Sequence, residues 1–106
     1  MADHLTISTA TETREQAVAL AQSAVQARLA AGAQIIGPVA SVFWHDGECG
    51  TGEEYQLLLT TSTARYAQLE ALLVEQHPWT NPEVRATPIV TGAATYLDWV
   101  DRSTAD

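Results

Sequence analysis

The sequence has few of the residues on which many binding and redox functions depend. Its single cysteine, Cys49, cannot form a disulfide within the chain, and no Cys-x-x-Cys motif is present. All five basic residues are arginines; they are scattered and outnumbered by thirteen acidic residues, which gives a net charge of −8. Because no basic stripe could neutralise phosphates, we expect neither nucleic acid nor an anionic membrane surface as a partner.

Two further absences concern location and catalysis. No apolar run approaches the ~20 residues of a membrane span, and the first residues lack the basic start and apolar stretch of a signal peptide. We therefore expect a cytoplasmic protein. The Gly-x-Ser-x-Gly nucleophile motif, the P-loop and the Gly-x-Gly-x-x-Gly fingerprint are also missing. The sequence thus predicts a protein that is not an enzyme.

The length and composition indicate one folded domain. A chain of 106 residues is typical of a single domain, so we predict one domain over residues 1–106 with an ordered core at about residues 5–102. With 46% hydrophobic and 17% charged residues, the composition excludes a disordered chain. The apolar content also indicates that some surface is buried between subunits.

Hydrophobic periodicity predicts the first half of the fold. Alternating β-branched residues predict a strand at residues 5–10. A capping box at residues 13–16 opens a helix, which apolar residues at helical spacing extend to residue 31, with Gly32 as its stop. A long hairpin follows, formed by an extended stretch at residues 34–45, a glycine-rich turn at residues 46–52 and a strand at residues 53–61.

The second half repeats the helix and strand pattern. A helix is predicted at residues 63–76, a strand at residues 83–90 and a C-terminal helix at residues 93–102. The order β-α-β-β-α-β with a final helix is that of a ferredoxin-like α+β fold. The hairpin is long for so small a core, and its apolar outer positions would be exposed in a monomer, which indicates an oligomer.

Histidines and carboxylates are the candidate chemical groups. No role is expected for His4 near the terminus. Imidazole and thiolate suit copper and zinc, so His45, Asp46 and Cys49 could bind a metal, although polar turn residues explain them as well. His77 is either a cation at the end of a helix or a metal ligand. The clustered hairpin carboxylates are interpreted as solvated charges, because a glycine-rich loop gives little enclosure for catalysis.

Aromatic residues are the other prominent feature of the sequence. Trp44, Trp79 and Trp99 are large enough to act as anchors in the core or at an interface. Both interpretations remain open for each of them.

Ordered motifs from about residue 5 to residue 100 resemble the CutA family of divalent-ion tolerance proteins. They are Arg28-Leu29-Ala30-Ala31, Ser41-Val42-Phe43-Trp44-His45-Asp46-Gly47, Glu54-Tyr55-Gln56-Leu57-Leu58-Leu59-Thr60-Thr61, His77-Pro78-Trp79, Asn81-Pro82-Glu83, Thr87-Pro88-Ile89 and Tyr96-Leu97-Asp98-Trp99. The resemblance implies a ferredoxin-like fold, a homotrimer whose long hairpin reaches a neighbour, and a link to tolerance of divalent metals, copper especially. The trimer is similar to that of PII signalling proteins, which implies an alternative, a regulatory module that binds a small molecule or partner protein between subunits.

The resemblance also assigns expected roles to individual residues. His77 is the one retained candidate metal ligand, since Gly32, Ser8 and Gln76 stand where some members have cysteine or histidine. No cofactor is required, and copper or another divalent cation is the expected ligand. The expected intersubunit or pocket residues are Trp44, Tyr55, Trp79, Glu83, Tyr96 and Trp99.

Overall fold

The computed structural model describes residues 2–105, within which four strands and three α-helices follow one another in the predicted order. A short 3-10 turn precedes the second helix. The elements are β1 (His4–Thr11), α1 (Arg14–Gln26), β2 (Gly32–His45), β3 (Glu48–Ser62), the 3-10 turn (Thr63–Arg65), α2 (Tyr66–Gln76), β4 (Arg85–Pro88) and α3 (Ala94–Ser103). No helix in this part of the chain has the length and apolar character needed to cross a membrane.

The four strands form one antiparallel sheet in the order β2-β3-β1-β4. Helices α1 and α2 cover one face of it, where alternate residues of β1 and β3 point into the core. The buried cluster includes Ile7, Leu57 and Leu59 from the sheet and Ala17, Leu20, Ala24, Leu69 and Leu73 from the helices. Because alanines line α1, this helix approaches the sheet closely. The ferredoxin-like α+β fold predicted from the sequence is confirmed.

The start of α1 agrees with the predicted capping box. The Thr13 hydroxyl accepts the N–H of Gln16 at 3.2 Å, and the Gln16 side chain accepts the N–H of Thr13 at 3.1 Å. The predicted end at residue 31 is wrong, since α1 ends at Gln26. Arg28 has a φ of +60°, a left-handed conformation that breaks the helix. Ala31 already donates its N–H to Thr60, so the apolar residues before it lead into the sheet.

The hairpin between β2 and β3 is longer than the sequence predicted. Asp46 and Gly47 alone form its turn, with φ values of +51° and +79°. Two successive residues with positive φ are typical of a type I′ turn, for which Asp-Gly is a preferred pair. The prediction of a loop at residues 46–52 is therefore wrong, because β3 begins at Glu48 and pairs directly with His45.

A bulge in β2 changes which residues share a face of the sheet. Ile36 pairs with Gln56, whereas Val39 pairs with Glu54, so β2 has one extra residue at Gly37-Pro38. Before the bulge, even-numbered residues of β2 lie on the same face of the sheet as even-numbered residues of β3. After the bulge, odd-numbered residues of β2 lie on that face. The irregularity thus coincides with the one Gly-Pro pair of the strand.

Strand β4 is shorter than predicted, covering Arg85–Pro88 instead of residues 83–90. Val84 packs against the core cluster rather than extending the strand. Pro88 has no N–H to donate, and the pairing continues for one further bond, from the Ile89 N–H to the His4 carbonyl. Helix α3 is one residue off its predicted position.

Candidate functional site

Helix α3 lies against the sheet face opposite α1 and α2, and a pocket of about 440 Å³ opens between them. Strands β1, β2 and β3 supply its floor through residues at alternate positions, which point away from the core. The lining residues are Thr6, Gly32, Ala33, Gln34, Leu58, Thr60, Tyr96 and Trp99. Of these, only Tyr96 and Trp99 were expected from the sequence as pocket residues.

Two aromatic side chains form the helical wall of this pocket. Tyr96 and Trp99 are three residues apart and therefore share one face of α3. Their ring centroids lie 5.7 Å apart at a tilt of 36°, and the Tyr96 hydroxyl donates to Oγ1 of Thr60 at 3.3 Å. Trp99 reaches the backbone of β2, since a Cβ at Gly32 would lie 3.2 Å from Cη2 of the indole. Glycine at position 32 thus permits the close approach of α3 to the sheet.

The pocket floor combines polar side chains with Ala33 and Leu58, and it carries no charge. Thr6 and Thr60 are cross-strand partners, and Gln34 pairs with Leu58 in the adjacent register. Among the described residues, no charged side chain lines the pocket. The floor residues were not predicted from the sequence. Strand alternation could have identified them, because it places them on the face of the sheet away from Ile7 and Leu59.

His77 occupies a buried position at the end of α2. Its Nδ1 accepts the N–H of Trp79 at 3.1 Å, so the proton resides on Nε2, which donates to the Ala10 carbonyl at 2.8 Å. Only 8% of the residue is exposed. Burial lowers the pKa of His77 below its ordinary value, although the hydrogen bond to Ala10 acts in the opposite direction.

This geometry corrects one of the two interpretations of His77. The prediction of a cationic histidine at the helix terminus is wrong, because Nδ1 accepts the N–H of Trp79 and therefore carries no proton. Both ring nitrogens are hydrogen-bonded within the protein. A metal ion at His77 would therefore have to displace either the Ala10 carbonyl or the Trp79 N–H. Trp79 packs beside this imidazole, with a centroid distance of 5.1 Å.

The end of the hairpin exposes several groups that the sequence singled out. His45 Nε2 lies 3.1 Å from an Asp46 carboxylate oxygen, and both side chains are largely in solvent. Trp44, which is 77% exposed, pairs across the strands with the exposed Cys49. Within residues 2–105, no group of three His, Cys, Asp or Glu side chains comes together as a metal site.

Three other residues lie away from the pocket. Glu83 accepts a hydrogen bond from the Arg85 guanidinium at 2.7 Å and is exposed. Tyr55 packs against the bulge, since a Cβ at Gly37 would lie 2.6 Å from its ring. The expectation that His4 lies at a frayed end is wrong. His4 begins β1, opposite Ser62, and its Nε2 lies 2.8 Å from an Asp101 carboxylate oxygen on α3.

These features define a ferredoxin-like α+β protein with a long two-stranded arm and a C-terminal helix on its open face. Residues 5–103 match the family described as CutA1 divalent ion tolerance protein, and the chain belongs to this family.

Named relatives and solved structures agree with this assignment. The divalent-cation tolerance protein CutA of Thermus thermophilus is 36% identical over 90 residues, which are 85% of this chain and 87% of the relative. The crystal structure of CutA1 from Shewanella sp. SIB1 superposes with a TM-score of 0.95 at 30% identity, covering 99% of this chain and 98% of that one. The periplasmic divalent cation tolerance protein CutA of Archaeoglobus fulgidus gives a TM-score of 0.93 at 27% identity, covering 96% and 99%.

Proposed function

We propose that the protein acts in tolerance to divalent cations, as a non-enzymatic homotrimer that responds to a metal such as copper. The observation that carries this proposal is the family match over residues 5–103. The relative from Thermus thermophilus is named for divalent-cation tolerance, and it is similar to this chain over most of both lengths. We propose the cytoplasm as its location in the cell. The Archaeoglobus relative, in contrast, is named as periplasmic.

The homotrimer is supported by the apolar surface of the hairpin. Strands of 14 and 15 residues form an arm in a molecule measuring 44 × 25 × 22 Å. On one side of this arm, Val42 and Trp44 are 71% and 77% exposed. Side chains of this kind stabilise a protein when they are buried, so a second and third copy are the partners we propose for them. The trimer would have the PII-like architecture that the family resemblance implies.

The metal response is proposed to involve ligands from more than one subunit. This follows from the lack, among the described residues of one chain, of three clustered ligand side chains. His77 is the proposed ligand from each subunit. Because its two nitrogens are hydrogen-bonded to Ala10 and Trp79, metal binding would release one of these contacts. Binding at His77 would therefore loosen the segment that follows α2.

Two measurements test the proposal. Light scattering should give three times the mass of one chain, and the mass of a single chain would overturn the trimer. In calorimetric titrations with Cu²⁺ and Zn²⁺, His77→Ala should bind at least about tenfold more weakly than the wild type. The control is His45→Ala, which removes an exposed imidazole and should bind normally. Failure of the wild type to bind either ion would overturn the metal response.

A second candidate function is supported by the pocket beneath α3. We propose as the alternative that the protein is a PII-like regulatory module that binds a small molecule or a partner protein at subunit interfaces. A volume of about 440 Å³ falls within the range of roughly 300–1,000 Å³ of small-molecule sites. Thermal shift measurements with a set of small molecules would test this alternative, because a ligand selective for the folded state raises the melting temperature.

A further inference from the structure

We infer that Arg28 and Arg65 are positioning residues, which clamp the C-terminal end of α3 and thereby fix the surface that this helix offers to another copy of the chain. The inference rests on the proposed homotrimer and goes beyond it, because it names side chains on which the shape of one subunit surface depends. The metal and small-molecule proposals use neither arginine.

The backbone at Arg28 has a conformation that glycine usually adopts. After α1, the Arg28 N–H donates to the Val25 carbonyl at 3.0 Å. The Leu29 N–H donates to the Ala24 carbonyl at the same distance. These two bonds form a Schellman motif, in which the residue with positive φ is most often glycine because a side chain there is strained. Arg28 takes that place with a φ of +60°, so the unfavourable backbone indicates a purpose for its side chain.

The guanidinium of Arg28 binds the end of α3. Its Nη2 donates to the Arg102 carbonyl at 2.6 Å, and its Nε donates to the Ser103 carbonyl at 3.1 Å. The last carbonyls of a helix have no partner within it and form the negative end of its dipole, so a guanidinium both pairs with them and attracts them. Because Arg28 is 74 and 75 residues away from these two partners in the chain, the contact fixes tertiary structure.

A second arginine binds the next carbonyl from a different helix junction. Arg65 lies in the 3-10 turn before α2, and its Nε donates to the Thr104 carbonyl at 2.7 Å. The Nη1 of Arg65 donates to the Gln68 side chain at 2.7 Å, which holds the guanidinium in place. Helices α1 and α2 lie on one face of the sheet and α3 lies on the other. The two arginines therefore join these layers around the end of the sheet.

The rest of α3 is weakly attached to the sheet. The helix has ten residues and no side-chain hydrogen bond at its N-terminus, and helices of this length are marginal without tertiary contacts. Val100 is its one buried residue, whereas Tyr96 and Trp99 remain 44% and 39% exposed. The contact of Asp101 with His4 also lies near the C-terminal end. The position of the helix thus depends on its last turn.

The clamp has a consequence for the assembly of the proposed homotrimer. Tyr96 and Trp99 present exposed aromatic surface, which is of the kind enriched at interfaces. If the last turn of α3 is released, these rings no longer have one position relative to the sheet. Groups that must be ordered on binding weaken association, so release of α3 should weaken the contact between subunits.

Hydrogen exchange of the full chain tests the clamp. Arg28→Gly removes the guanidinium and suits the left-handed backbone, so amides of β1 and β3 should exchange at the wild-type rate or more slowly. Amides of α3 should exchange about fivefold faster or more, because the last turn opens more often. A variant that was only less stable would exchange faster in every element, so the difference between α3 and the sheet identifies positioning.

Two further variants locate the effect. Arg65→Gln should also accelerate the exchange of α3 about fivefold, since it removes the charged donor to Thr104. Arg85→Ala is the matched control, because this exposed arginine binds the neighbouring Glu83, and it should leave the exchange of α3 unchanged. Wild-type exchange of α3 in Arg28→Gly or in Arg65→Gln would overturn the inference for that arginine, as would equal acceleration of α3 and the sheet.

Sedimentation at decreasing protein concentration tests the consequence for assembly. Arg28→Gly should dissociate at a protein concentration about fivefold higher than the wild type, because its free subunits hold α3 less firmly. Unchanged dissociation together with faster exchange of α3 would overturn the link to assembly. A wild type that sediments as one chain would overturn the homotrimer and this link, whereas the exchange of α3 still decides whether the clamp exists. The two failures are therefore distinguishable.

Discussion

Two buried threonines of the sheet differ in their hydrogen bonding. Thr61 donates its hydroxyl proton to the Leu29 carbonyl at 2.7 Å. The hydroxyl oxygen of Thr9 is equally buried, but within residues 2–105 it has no hydrogen-bond partner. A buried polar group without a partner destabilises the folded state.

The matched substitutions Thr9→Val and Thr61→Val should therefore have opposite effects. Thr9→Val should leave the free energy of unfolding unchanged or raise it by up to about 1 kcal/mol, whereas Thr61→Val should lower it by about 1–2 kcal/mol. Urea unfolding of both variants measures the difference. Equal losses would show that Thr9 has a partner, such as an ordered water.

His77 should make the stability of the protein depend on pH. Its pKa in the folded state is lower than the value of 6.5 that it has when unfolded. Above pH 6.5 the imidazole is neutral in both states and its contribution to stability is complete. As the pH falls below 6.5, the unfolded state takes up the proton first, so stability decreases until the pH is below the folded pKa.

Urea unfolding of the wild type and of His77→Gln across pH 5–8 measures this contribution. The stability advantage of the wild type should shrink toward acid pH. His45→Gln serves as the matched control for loss of a histidine, because that side chain is largely in solvent at the turn of the hairpin. A constant difference between wild type and His77→Gln would contradict the assigned cause.

The predictability of the site from sequence was uneven. The family resemblance placed Tyr96 and Trp99 among the expected intersubunit or pocket residues, and both line the pocket. The floor of the pocket comes from three strands that are far apart in the chain, so their approach depends on strand order and register. The double hydrogen bonding of His77 depends on where Ala10 lies after the sheet has formed, which no local pattern reports.

At the scale of elements, the ring of Phe43 explains one of the two glycines within β3. Phe43 pairs with Gly50, and a Cβ at that position would lie 2.7 Å from the ring. A Cβ at Gly52 would lie 3.9 Å away, which is ordinary contact. The sequence predicts both glycines to lie in a loop, but Gly50 lies within the strand, where it leaves room for the Phe43 ring.

Gly50→Ala should consequently lower the free energy of unfolding by about 1 kcal/mol. This is at the low end of the usual cost of overpacking, because the Phe43 ring can turn toward solvent. Gly52→Ala should be neutral or slightly stabilising, since alanine restricts the unfolded chain. Thermal unfolding of the two variants compares them directly. A larger loss at position 52 would contradict the packing of Phe43 described above.

The order of the elements could be predicted because each has its own local signal. The capping box fixed the start of α1, and the alternation of β1 and β3 fixed the sheet. The residues at which helices and strands end were less predictable, because they depend on tertiary contacts. Leu29 continues the helical spacing, but the left-handed Arg28 turns the chain so that Leu29 packs on the core from a loop.

At the scale of the whole molecule, assembly should determine the measured stability. If the hairpin is buried between copies, the unfolding midpoint rises with protein concentration, because mass action favours the assembled state. Urea unfolding over a hundredfold range of concentration measures this dependence. The double variant Val42→Ser/Trp44→Ser should reduce or abolish it, and a concentration-independent wild type would contradict the proposed trimer.

The bulge at Gly37-Pro38 has a consequence for how the arm can change during evolution. Strand residues alternate between two sides, so a single extra residue reverses the sides of everything beyond it. Deleting one residue there would exchange the positions of Phe43 and Trp44 relative to the body. The arm can therefore be lengthened or shortened in steps of two residues without altering the surface it presents, whereas a step of one would turn that surface over.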